Sequence, residues 1–142
     1  MPRDPLEIVR SFQEAFALRD AERFASFLHP HVEWTSAENF LYADHSPYRG
    51  VEAVLGLIFG RLLDDWDGFS ITADEILGGD DLVIASGRFR GTFKANGAFV
   101  NAQLVQVFQL EGDRIAKCQV YTDTAQFKEA VSRIHLNRVG EV

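Results

Sequence analysis

Cysteine is nearly missing from this sequence: Cys118 stands alone among 142 residues. An internal disulfide and a multi-cysteine metal site are therefore excluded, and the cytoplasm is the expected compartment. Long apolar runs are missing as well. No stretch approaches the roughly 18 residues a membrane helix needs, and the opening MPRDPLEIVRSF has no apolar core behind its charges, so neither a membrane partner nor a signal peptide is expected. Positive charge is scarce, with 14 Lys and Arg against 21 Asp and Glu and a net charge of −7. Phosphate-backbone binding needs clustered cations, so nucleic acid is excluded as a partner.

Phenylalanine, by contrast, is abundant. Twelve Phe in a chain that is 46% hydrophobic and 25% charged suit a large sheet wrapped on helices or a greasy pocket, and composition does not separate the two. The length supports one domain with a real core, taken as 1–142, with 132–142 expected to fray.

The stretch Phe99 to Asp123 reads as a long hairpin, two runs of β-formers reversed at Glu111-Gly112-Asp113-Arg114. Alternation places Val100, Ala102, Leu104, Gln106, Phe108 and Leu110 on one face. Gln106 is the polar exception on that face. Left unpaired it would cost roughly 1–3 kcal/mol, so it either bonds a neighbour or points into a cavity holding water or ligand.

Upstream, Asp4-Pro5-Leu6-Glu7 reads as a capped helix start, with Leu6, Val9, Phe12 and Phe16 inward and Arg10, Gln13 and Glu14 left for solvent. Asp20 caps a second helix expected to reach about Leu28, and Val32 to Thr35 reads as a strand. The run 36–50 shows no period; irregular stretches of this length are functional lids or mobile segments. A third helix follows from Gly50 to about Asp64, on which Gly56 and Gly60 are read as tolerated glycines. Strands then fill the chain to Asp123, before a short helical pattern through Phe127 and Val131. The order predicts an α+β domain, a strongly curved mixed or antiparallel sheet forming a cone with three N-terminal helices on its concave face.

Several motifs in that order resemble the nuclear transport factor 2-like, cystatin-like cone superfamily and its SnoaL-like and ketosteroid-isomerase-like branch. They are Arg19-Asp20 after the first helix, Leu28 to Trp34 at the first strand, Tyr48 to Val54 at the third helix, Phe108 to Ile115 at the hairpin, and Tyr121-Thr122-Asp123. The resemblance implies a pocket inside the cone, opening near the irregular stretch, and association through the outer sheet face into a homodimer. Matched to the ketosteroid isomerases, the oxyanion-hole and base positions fall on Phe12, Gln106 and Thr35. Phe12 has no donor and Thr35 is no base near pH 7, so steroid-isomerase chemistry is not expected. The Asp–Arg–Asp set of limonene epoxide hydrolase also finds no match on inward strand positions.

The chemistry-bearing residues gather between His29 and His45. His45 beside Asp44 is the acid–base candidate, with Glu38 as an alternative base. His29 and His31 flank Pro30, where a helix-cap role is expected; with Glu33 they form only a fragment of a metal set, so no metal and no cofactor are expected. Trp34, Thr35, Phe12, Tyr48, Phe89, Cys118 and Val120 are taken with Gln106 as the residues lining the site for a small hydrophobic molecule. Cys118 has no base near it in sequence and is read as inert filling. The outer face, carrying Asn101, Gln103, Val105, Val107 and Gln109 with Ile115, Lys117, Gln119 and Tyr121, is composed to permit an isologous dimer. Two functions are therefore weighed: a SnoaL-like binding or enzyme-type domain acting without cofactor as an isomerase, cyclase, dehydratase or hydrolase, and a non-catalytic association domain with a filled cone.

Overall fold

The computed structural model describes residues 4–133, so most of the tail expected to fray lies outside the described residues. Helix α1 spans Pro5–Ala17, with the Asp4 carboxylate accepting the Leu6 N–H at 3.0 Å and Pro5 opening the helix where its missing donor costs nothing. Ile8, Val9, Phe12, Ala15 and Phe16 are buried along one side of it. The second helix, α2, covers Ala21–Ser26 and is capped by Asp20 onto the Arg23 N–H at 3.0 Å. It ends earlier than expected.

Leu28, read as helical from sequence, instead opens strand β1, Leu28–Thr35, pairing with Ile115. The register between β1 and its parallel partner shifts between Leu28 and Glu33. Pro30 lies inside that irregularity, where its missing N–H does not break a ladder. His29 and His31 therefore sit on a strand and cap no helix.

After the irregular loop, β2 (Tyr48–Arg49) leads into the third helix, which is built in three parts: α3 (Val51–Ala53), a π-helical segment (Val54–Gly60) and α4 (Arg61–Asp65). Apolar periodicity predicts this helix and is silent about its winding. A Cβ on Gly60 would stand 3.1 Å from the Leu55 carbonyl oxygen, so glycine leaves room for the wider turn.

Strands β3 (Trp66–Gly79), β4 (Leu82–Phe93), β5 (Phe99–Glu111) and β6 (Arg114–Thr122) follow, then helix α5 (Thr124–Ser132). The six strands form one curved, unclosed sheet in the order β2-β1-β6-β5-β4-β3, antiparallel except for β1 beside β6. Gly87 makes the bend of β4 against β3 possible: a Cβ there would lie 1.7 Å from the Thr72 carbonyl, next to the register shift between Ala73 and Glu75. The α+β cone and its mixed sheet are as expected, and α5 takes up the helical pattern expected through Phe127 and Val131.

The alternation on β5 holds without a slip: Val100, Ala102, Leu104, Gln106, Phe108 and Leu110 are all buried. On β6 it fails at one place. The register shifts between Gln109 and Leu110, so Ile115, assigned from sequence to the outer face, is fully buried opposite Leu110. A bulge exchanges the two faces for the residues before it, and strict alternation cannot carry across that point.

Candidate functional site

The interior is built on aromatic rings. Phe12 stacks on Phe24 at 4.2 Å between centroids, Trp34 meets Phe59 edge-on at 5.4 Å, and Phe40, Phe89 and Phe127 close the other end. Within this apolar set Gln106 is 1% exposed. Its side-chain oxygen accepts a 3.1 Å hydrogen bond from the Gln13 side-chain amide of α1, while its own amide nitrogen donates to no group among the described residues. Helical periodicity leaves Gln13 for solvent; it turns inward because a buried amide needs a partner and α1 is the element within reach.

Gln106, Trp34, Phe89 and Val120 line a void together with Ser36, Phe40, Ile58, Phe59 and Leu62. The void measures about 10 Å³. That is space for about one water, so the roomy hollow expected from sequence is closed in this structure. Phe12 and Cys118 are buried but do not line the void, and burial pushes the Cys118 thiol well above its ordinary range, away from a nucleophilic thiolate. Thr35 is half-buried next to inward Trp34, and strand alternation puts it on the opposite face. It is not part of the interior.

The cover over the wide end is the stretch from Ser36 to Pro47. Its own Phe40 and Tyr42 are buried, and side-chain bonds hold it in place. Tyr42 donates to Asp65 Oδ2 at 2.6 Å and accepts the Trp66 indole N–H at 3.1 Å. Asp44 takes a two-pronged bond from Arg61 of α4, at 2.8 and 3.0 Å, and lies 2.9 Å from the Tyr48 hydroxyl. That hydroxyl also accepts from Arg61 at 3.0 Å and reaches the Tyr42 carbonyl. Arg61, first through its hydrogen bonds and then Tyr48, holds the Asp44 carboxyl well below the ordinary carboxylate range. Burial, reinforced by Asp65, pushes the Tyr42 phenol above its usual value, and burial with Asp44 does the same for Tyr48. Groups shifted in these directions are a poor base and poor acids; the arrangement is a clasp.

The acid–base candidates do not face the interior. His45 is exposed, 3.8 Å from the Asp44 carboxylate whose oxygens Arg61 already holds. Glu38 borders a surface recess with Ala37, Gln119, Tyr121 and Thr122, away from Gln106. At the narrow end, His29 Nδ1 accepts the His31 backbone N–H at 3.0 Å and its Nε2 lies 3.8 Å from Glu111. Among the described residues no three His, Cys, Asp or Glu side chains are grouped to hold a metal.

Residues 9–118 match the model of the SnoaL-like domain. The chain belongs to the SnoaL-like domain family. Its structure is similar to a nuclear transport factor 2-like protein from Burkholderia thailandensis, 27% identical, covering 92% of this chain and 99% of that one with a TM-score of 0.86. It is also similar to a cystatin-like-fold protein from Xanthomonas campestris, 24% identical over 92% of this chain and all of that one, with a TM-score of 0.77. TerC, crystallised with polyporic acid, is 20% identical, covers 89% of this chain and 97% of that one, and has a TM-score of 0.79. Among curated proteins none matches. For this SnoaL-like domain the comparisons fix family and fold; no helix among the described residues is long and apolar enough to cross a membrane.

Proposed function

We propose that this SnoaL-like domain binds a small hydrophobic molecule inside the cone, that the site is closed when empty, and that the Gln13–Gln106 amide pair orients the guest. The observation that carries this reading is a side-chain amide, 1% exposed, that is hydrogen-bonded to the Gln13 amide and borders the small void among mostly aromatic and aliphatic side chains. A side chain needed only for filling would be stabler as leucine, because taking a polar amide out of water costs free energy that burying leucine does not. TerC supplies a related fold with a co-crystallised organic compound, which supports the class of ligand and nothing finer. His45 and Glu38 are left without an assigned step, so binding is proposed and catalysis is not. The domain is placed in the cytoplasm, in keeping with its single cysteine.

A thermal-shift comparison tests the reading. The aromatic ketone 1-tetralone should raise the melting temperature of the wild type and raise it less in Gln106→Leu. Equal shifts in both proteins would remove Gln106 from the site.

A second reading, a non-catalytic association domain, is favoured by the packed interior itself, where the void beside Gln106 is about 10 Å³. In that reading the outer sheet face acts. Ile84 is registered with Val107 and Val105 with Tyr121 across adjacent strands, and Leu82, Ile84 and Tyr121 are exposed. This apolar strip is proposed to join two copies as a homodimer in either reading. Light scattering on Ile84→Lys should then give the monomer mass, and an unchanged mass would reject the strip as the interface.

A further inference from the structure

One ring separates two spaces. On the outside of the helical layer, α1, α2 and the π-helical segment frame a groove of about 230 Å³ whose walls include Ala15, Phe16, Phe24, Leu55 and Leu63. Behind it lies the small void at Gln106, and Phe59 lines both. The Phe59 ring packs against three other rings, Phe24 at 4.9 Å, Phe16 at 5.3 Å and Trp34 at 5.4 Å between centroids.

We propose that this groove is the entrance to the interior site, that Phe59 is its gate, and that the molecule admitted is a neutral one- or two-ring aromatic carrying a carbonyl oxygen. The inference rests on the interior-binding reading and adds the route and the ligand's chemistry. Size supports it, since a dry apolar cavity of about 150 Å³ already accommodates benzene. So does charge. At the rim, Arg19 donates to the Phe16 carbonyl at 2.7 Å and to the Phe69 carbonyl, the Asp20 carboxylate of opposite sign caps α2 beside it, and the walls behind them carry no charge, which suits a neutral guest. A carbonyl oxygen accepts what the Gln106 amide nitrogen has to give.

The route follows from what holds each wall. The clasp over 36–47 would have to surrender the Tyr42–Asp65, Trp66–Tyr42 and Asp44–Arg61 bonds to open. Phe59 would surrender packing contacts and no side-chain hydrogen bond, and the guest's own ring replaces that packing. It also sits in a π-helical turn beside Gly60, and such turns recur where a helix must yield at a functional site.

The test uses the full chain, 1-tetralone as probe and tetralin as its carbonyl-free counterpart. Tetralone binding is read by quenching of tryptophan fluorescence and its rate by stopped flow; tetralin is read by competition. Phe59→Leu should accelerate tetralone association about tenfold or more with little change in Kd, with Phe59→Met as the second variant if Leu proves unstable. Arg61→Gln, which loosens the clasp, should leave the rate unchanged. Gln106→Leu should weaken tetralone about tenfold, the equivalent of one hydrogen bond, and leave tetralin unaffected. If tetralone depends on Gln106 but its rate responds to Arg61→Gln and not to Phe59, the gate is overturned while the interior site stands. Saturable binding indifferent to Gln106 confines the ligand to the groove and overturns the route inward. No saturable binding by the wild type or by either Phe59 variant overturns both readings.

Discussion

Two covers close the same interior, and they are made in opposite ways. The stretch 36–47 has no secondary-structure period, yet it is pinned by the Tyr42–Asp65, Tyr42–Trp66 and Asp44–Arg61 bonds. The π-helical segment Val54–Gly60 comes from a regular apolar helix pattern, yet it is held on its inner side by packing alone, through Val54, Ile58 and Phe59. An aperiodic sequence is thus no sign of a loose backbone, and a periodic one is no sign of an ordinary helix. Directional bonds resist displacement until they break, while packing yields to any body of similar shape.

The contrast can be broken most visibly at Phe59. Phe59→Ala removes a ring touching three others and should cost about 3–5 kcal/mol in urea denaturation. A loss under 1 kcal/mol would mean that the segment is not packed as described. Tyr42→Phe should cost less, roughly 1–3 kcal/mol, because it strands the buried Trp66 indole N–H and removes a donor from Asp65. Hydrogen exchange should quicken in 36–47 and stay unchanged in 54–60; the reverse pattern would undo the comparison.

The smallest effect is expected at Asp44, which is exposed and screened. Its folded pKa is lowered, so its contribution is complete above the unfolded value of about 3.9 and is lost as pH falls through the lowered one. The melting temperature of Asp44→Asn should therefore trail the wild type most at pH 5 and above, with the gap closing toward pH 2. A gap that stays constant through the acid range would show that the carboxylate is not held by Arg61.

The legible parts were those written by local rules. Asp4 and Asp20 announce their helices because a short carboxylate side chain satisfies free N–H groups wherever a helix begins. The inward face of β5 is legible because side chains alternate, and Gln106 stands out against that alternation in the sequence itself. Gln13 was not legible: on its helix it reads as a solvent residue, and only the approach of α1 to β5 gives it a buried amide to meet. Arg61 and Asp65 were missed for the same reason, since their partners lie 17 and 23 positions away across a loop with no period. Ile115 was misassigned because a bulge depends on the neighbouring strand's register.

Taken alone, the order of residues determined the curved sheet, the helices laid on it, and the single amide on its inner face, because each depends on spacing within one element. How full the interior is, which segments seal it and with what kind of bond were decided only when distant elements met. Packing volume and side-chain partnership belong to pairs of surfaces, and no single element carries that information.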